Sequence, residues 1–302
     1  MINLKRANTE LLCENTFQNL GPVYNANTPE NEPLIFMSDE DFKAGMSILA
    51  ICVRLHPDIR VFAFQLMSNH IHLVIGGDPQ RIQVFFKYFV GRLNKYFDGR
   101  ASLKDISLKL FPIGDLSYMR NAIAYVNRNG YVVNNNVTPF SYRWGSSPFF
   151  FQPMVVNYAK MCGKPIGVLG IRSLMHARSC DRLKDLQTIE GYVSPLEFCD
   201  IPLAESIFRD AKQYFYHISR NVEMYSEIAK SIGESIYVND DDLYLAAVKI
   251  AREHYGTNDL RTLDTAGKLE LAKRLHFDYN AGEKQLERLL KIDKRLLMAL
   301  SL

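Results

Sequence analysis

Two histidines one residue apart, His70 and His72, sit in the run Asn69-His70-Ile71-His72. Residues two apart on a β-strand leave the same face, about 7 Å apart along the backbone. Two imidazoles so placed can turn their ring nitrogens onto one divalent ion, although a surface pair of strand histidines has the same signature. A second pair, Tyr125 and Asn129, is one turn apart on a helical pattern and shares a face. A phenol titrates near about 10, so a nucleophilic tyrosine needs a metal or a base at neutral pH. A neighbouring amide oxygen suits the completion of such a site. The plainer alternative is that Tyr125 packs on a sheet as helix aromatics do. Tyr118 has Ala122 one turn on and lacks an amide partner, and Tyr131 follows Gly130. Cys180 and His176 have no completing partners at metal spacing and read as structural.

Positioning these groups takes a hairpin and a helix. Residues 61–66 (VFAFQL) and 70–75 (HIHLVI) read as strands joined by a turn at Ser68-Asn69 and closed by Gly76-Gly77, an antiparallel hairpin. Residues 38–54 read as a helix capped by Ser38, with Phe42, Met46, Leu49 and Ala50 as its apolar stripe. Residues 79–97 form another helix, with proline in its first turn and Ile82, Phe85, Phe86, Phe89 and Leu93 on one face. A strand at 107–113 and a helix at 115–129, stopped by Gly130, complete the pattern, with room for an edge strand before Ser38. This order predicts an α+β fold, an antiparallel sheet with helices on one face. Glycines and prolines break the stretch from 157 to 203, which reads as a connector with short helices. Beyond Pro202 the pattern is helical. It ends in helix, turn, helix: 266–275, a turn at Asp278-Tyr279-Asn280, then 282–291 with Asn280 as cap. The chain therefore divides into 1–155, a connector at 156–203, and a helical region at 204–302.

Composition bounds the rest. At 302 residues, 47% hydrophobic and 23% charged, the chain can bury a full core without staples. Five cysteines, odd in number and never in a C-x-x-C pair, imply neither a disulfide lattice nor a zinc ribbon, which predicts a reducing, cytoplasmic setting. The start, MINLKRANTELLCENTF, has no apolar stretch of signal-peptide length, and the apolar run at 46–53 is cut by Arg54, so no membrane association is expected. A net charge of +3 permits nucleic-acid binding without demanding it.

The motifs taken together resemble the single-tyrosine HUH transposases, and among them the REP-associated tyrosine transposases related to insertion-sequence-200 enzymes. Residues 64–74 resemble the family's Met-Pro-Asn-His-x-His strand pair, Tyr125-Val126-Asn127-Arg128-Asn129 its Tyr-x-x-x-Asn helix, and Trp144-Gly145-Ser146-Ser147 its Trp-Ser-Ser segment. The resemblance covers about residues 20 to 150. It implies a ferredoxin- or RRM-like catalytic domain in which His70 and His72 bind Mg²⁺ or Mn²⁺, Asn129 supplies the third ligand and Tyr125 is the nucleophile. The implied reaction is nicking and rejoining of single-stranded or hairpin DNA through a 5′-phosphotyrosine link, by a monomer or a homodimer. The chain departs from the family at Met67-Ser68, at Asn129-Gly130 and at Tyr131-Val132-Val133, where the family has Met-Pro, Asn-Pro and a basic Val-Arg-Ala-Gly. Those departures ground the alternative of a catalytically silent, domesticated DNA-binding protein. A four-stranded sheet with two helices would also suit single-stranded RNA.

Lys87, Arg92, Lys95, Arg120 and Arg128 are candidates for phosphate contact on helices beside the metal face, with solvated helix charges as the alternative. The end of the chain is similar to the helix-turn-helix appendage of many family members. Lys284, Gln285 and Arg288 could there read a duplex groove. The alternative is a helical bundle packed through Leu286, Leu289, Leu290 and Ile292.

Overall fold

Asp41, the third of three acidic residues, gives its backbone N–H to the Ser38 side chain at 3.2 Å and starts the helix Asp39–Leu55 where the capping pattern places it. The computed structural model describes residues 2–29, 34–98, 103, 106–133, 140–220, 240–279, 281–293 and 296. The chain is α+β. In order, the first elements are α1 (Ile2–Gln18), β1 (Val23–Asn27), α2 (Asp39–Leu55), β2 (Arg60–Leu66), β3 (Ile71–Gly76), α3 (Pro79–Tyr96), β4 (Lys109–Pro112) and α4 (Leu116–Val133). The four strands form one antiparallel sheet in the order β2-β3-β1-β4. The strand expected before Ser38 is therefore present but central, between β3 and β4.

Pairing and alternation sort the side chains onto two faces. Leu66, Ile71, Phe64, Leu73 and Ile75 share one face, and Gln65, His72, Asn27, Val74 and Asn25 share the other. The first face takes α2: a Cβ on Gly45 would run into the Phe36 ring and reach Leu66 Cδ1 at 3.2 Å, so helix and sheet meet at a glycine. α3, capped by Asp78 with proline in its first turn, packs beside α2. α4 instead meets the second face, where the Tyr125 ring lies against His72. Helices thus cover both faces, which corrects the expectation of one. α4 also runs through Gly130 to Val133. A helical glycine costs only about 1 kcal/mol relative to alanine, and no proline follows to end the helix.

Residues 156–203 are not a connector. With their neighbours they form α5 (Pro153–Cys162), α6 (Gly167–Met175), α7 (Ile201–Glu205) and a three-stranded antiparallel sheet of β5 (Lys164–Pro165), β6 (Gln187–Ile189) and β7 (Tyr192–Val193). This layer is bonded to the sheet domain. The Val193 N–H donates to Ser47 Oγ at 3.0 Å, and the Asp200 N–H donates to the Val61 carbonyl at 2.8 Å. Short elements rich in glycine and proline carry little periodicity, so their packing was not legible.

The chain divides into two compact units, Met1–Tyr131 with Asn136–Ser219, and Val132–Asn135 with Arg220–Leu302. α8 (Ala211–Arg220) closes the first. The second holds α9 (Asp240–Tyr255), α10 (Thr265–Tyr279) and α11 (Glu283–Leu290). The helix, turn, helix rhythm at the chain end is present, with Gly282 at the start of α11 and Lys291 as its left-handed cap. Asn280, the expected cap, lies outside the described residues. Leu286, Leu290 and Ile292 are buried, as a packed bundle requires. No helix among the described residues is long and apolar enough to cross a membrane.

Candidate functional site

The site begins with a tight hairpin. The Met67 N–H donates to the His70 carbonyl at 2.9 Å, closing the turn through Ser68 and Asn69. The Ser68 carbonyl takes the N–H groups of Ile35 at 2.7 Å and Phe36 at 2.9 Å, so the turn is pinned from outside. Beyond Asn27, Thr28 and Ile71 exchange hydrogen bonds at 3.0 Å that carry the β1–β3 ladder up to the histidines. His70 Nδ1 lies 2.7 Å from Asn69 Oδ1. An amide oxygen only accepts, so that nitrogen carries the proton and Nε2 keeps its lone pair. The Nε2 atoms of His70 and His72 face each other at 2.8 Å with the rings nearly perpendicular. Complete burial pushes the His72 pKa down to about 3, which keeps the imidazole neutral and able to ligate.

Two nitrogens each about 2.1 Å from one ion, at right angles around it, stand about 3 Å apart. The observed convergence fits that span. Among the described residues no group of three or more His, Cys, Asp or Glu suits a metal.

α4 delivers the phenol. The Tyr125 ring centre lies 5.6 Å from that of His72, edge to face, and Tyr125 is 3% exposed. Asn129 is buried one turn on, its Nδ2 directed to the Tyr125 carbonyl at 3.4 Å. A buried polar relay fixes the helix. The Phe64 N–H donates to Ser146 Oγ at 3.0 Å, Ser146 Oγ donates to Asn127 Oδ1 at 2.7 Å, and Asn127 Nδ2 donates to the Tyr214 hydroxyl at 3.0 Å. The Trp144-Gly145-Ser146 segment runs along the outer edge of β2, where the Leu66 N–H donates to the Trp144 carbonyl at 2.8 Å. Aromatic stacking of Trp144 on Phe42, at 5.1 Å, holds it there.

No family model matches the chain, and neither a curated protein nor a solved structure matches it. The functional reading therefore rests on the geometry and on the motifs.

The structure brings His70, His72 and Tyr125 together and separates them from most of the expected phosphate contacts. Lys87 and Lys95 are exposed on α3, in the layer on the far side of the sheet from Tyr125. Arg92, on the same helix, is half-buried, donates to the Met175 carbonyl at 2.9 Å and lies over the Tyr88 ring. Arg120 is buried against Glu10, at 2.6 Å, and donates from Nε to the Ile207 carbonyl at 2.9 Å. These four do not line the histidine face. Arg128 is buried on α4 beside the site residues. In the second unit, Lys284 and Arg288 are exposed one turn apart, whereas Gln285 is half-buried and takes the Gly282 N–H at 3.2 Å. Cys180 is buried, and His176 occupies a left-handed position ending α6.

The sequence reading missed Asn25, Asn27 and Gln65, the buried amides on the histidine face, and the anchors Asn127 and Ser146. A signal was available for the first two. In Val23-Tyr24-Asn25-Ala26-Asn27 the amides alternate with the period of a strand.

Proposed function

We propose that the protein is a single-tyrosine HUH-type DNA strand-transfer protein, similar to the REP-associated tyrosine transposases. One observation carries the reading: the Nε2 atoms of His70 and His72 converge at 2.8 Å, and the Tyr125 ring lies against His72 although 53 residues separate them in sequence. Strand order β2-β3-β1-β4 with α2 and α3 as crossovers supports a ferredoxin-like catalytic domain. The exposed Lys284 and Arg288 on α11 support a duplex-contacting helix-turn-helix at the chain end.

His70 and His72 would hold Mg²⁺ or Mn²⁺, which supplies Lewis acidity to a phosphodiester oxygen. Tyr125 Oη forms a bond to phosphorus as the P–O3′ bond breaks. The phenolic proton passes to the leaving 3′-oxygen, which leaves a 5′-phosphotyrosine and a free 3′-hydroxyl. Attack by a 3′-hydroxyl reverses the step and releases Tyr125, so joining needs no further reagent. The relay through Ser146 and Asn127 positions α4 for this chemistry, and the Asn69 contact fixes the His70 tautomer.

A second reading has its own support. His72 is fully buried and Tyr125 nearly so, as suits a silent protein that keeps the fold for DNA binding. Incubation of the whole protein with single-stranded hairpin oligonucleotides and Mn²⁺ separates the two. A covalent protein–DNA adduct on a denaturing gel, lost in Tyr125→Phe and His70→Ala, is the expected result. Tight binding with no adduct under any divalent ion would establish the silent reading. A preference for ribose-containing strands would move the substrate to RNA.

A further inference from the structure

The row of the sheet that carries His72 holds more than histidine. Lys109 on β4 pairs with Asn27 on β1, Asn27 with His72 on β3, and His72 with Gln65 on β2. Gln65 is bridged in turn to Gly145. Directly paired residues stand on one face with side chains about 5 Å apart, so a carboxamide flanks His72 on each side. The two differ in reach. Histidine Nε2 and glutamine Oε1 are both four bonds from their Cα, whereas asparagine Oδ1 is three. Gln65 therefore has the length to bring an amide oxygen to the height of His72 Nε2, where His70 Nε2 also arrives. Asn27 is one bond short.

The surroundings favour Gln65 as well. It is fully buried although β2 stands at the edge of the sheet, because the segment at Gly145 covers that edge. A Cβ at position 145 would sit 2.9 Å from the Phe64 carbonyl oxygen and 3.3 Å from Gln65 Cγ, so glycine there leaves Gln65 its room. Mg²⁺ and Mn²⁺ prefer oxygen donors, and two imidazoles alone make a poor set for them. Asn129 directs its amide nitrogen along its own helix to the Tyr125 carbonyl, and its Oδ1 is the competing oxygen donor.

We propose that Gln65 is a ligand of the divalent ion, its Oε1 completing with His70 and His72 a three-point set built wholly on the β2–β3 hairpin. The ion is then held by the sheet, and the helix that carries the phenol is not needed to bind it. This rests on the reading of His70 and His72 as the metal pair.

The test is Mn²⁺ binding to the full-length protein without nucleic acid, followed by the electron paramagnetic resonance signal of the free ion. His70→Ala should remove the tight site. Gln65→Met, which keeps length and loses the donor, should weaken binding about tenfold or more. Gln65→Glu, which adds charge at the same place, should tighten it and remains informative if Gln65→Met does not fold. Gln83→Met, on the far layer, should bind as the wild type does. Unchanged affinity in both Gln65 variants, with His70→Ala defective, would overturn the Gln65 assignment and leave the histidine pair intact. A loss in Asn129→Ala without one in Gln65→Met would return the third ligand to the helix, against the proposal. A wild-type chain that takes up no Mn²⁺ would overturn the metal reading itself.

Discussion

The four-stranded sheet buries one face behind Phe64, Leu66, Ile71, Leu73 and Ile75 and the other behind Asn25, Asn27, Gln65 and His72, and all nine side chains are at most 2% exposed. The first face needs no explanation beyond folding. Its residues are strand formers, and removing their surface from water contributes about 1.5–3 kcal/mol for each large side chain. The second face works against stability, because a buried amide costs about 1–3 kcal/mol wherever its hydrogen bonds are incomplete. At Asn25 the conflict is plain: both amide atoms lie buried without a hydrogen-bond partner. Two faces of one sheet, equally dry, thus answer to different demands. Under the proposed function, a polar face kept beneath a helix is where the site's chemistry displaces packing.

The comparison breaks most readily at its apolar side. Leu73→Ala opens a cavity between the sheet and the α2–α3 layer and should cost about 3–5 kcal/mol, read as a fall in the urea midpoint. A loss below about 1 kcal/mol would mean that this face is not the main core. On the other side the anchor matters most. Asn127→Ala takes the amide donor from the buried Tyr214 hydroxyl and turns Ser146 Oγ back to the Phe64 carbonyl at 3.2 Å, and should cost about 2 kcal/mol. It should also lower adduct yield more than Leu73→Ala does at matched stability, because α4 carries Tyr125.

Much of the apolar side was legible in the sequence, and the reason is periodicity. The stripes of α2 and α3, the Ser38 cap and the hairpin ending at Gly76 all express local rules, and they stand within a residue or two of where those rules put them. His70, His72 and Tyr125 stood out as candidates through the family resemblance of their motifs taken together, and the fold brings their rings close. What stayed hidden was non-local. β1 is central only because β4 returns to pair with it, and nothing in Val23–Asn27 itself says so. Gln65 is opposite His72 by cross-strand register, and Asn127 gains its role from Ser146 and Tyr214, neither of them near in sequence. Arg120 looked like a phosphate contact because its partner, Glu10, lies 110 residues earlier.

Asn25 offers a smaller and oppositely signed test. Asn25→Leu replaces an unpartnered amide with a side chain of similar size and should stabilise the protein by about 1–2 kcal/mol, a rise of a few degrees in melting temperature. Destabilisation instead would show that the amide is satisfied in solution, by bound water or by a substrate group. In that case the polar face is an organised network and not a tolerated cost.

The smallest effect concerns the layer behind α4. His217 donates from Nδ1 to Asn121 Oδ1 at 2.9 Å, which ties α8 to the helix that covers the polar face. Burial lowers its pKa, and the Arg120 and Arg209 guanidiniums lower it further. The folded chain therefore holds this imidazole neutral while the unfolded chain begins to protonate it near its ordinary value of about 6.5. Below that pH the unfolded state binds more protons, so the stability held above it drains away as the pH falls. Glu10, the carboxylate that faces the same two arginines, has its own pKa lowered by Arg120 and titrates only in more acid solution. Urea midpoints at about pH 5.5 and about pH 7.5 should consequently fall further apart in the wild type than in His217→Gln. An equal fall in both proteins would mean that His217 does not resist protonation in the folded chain.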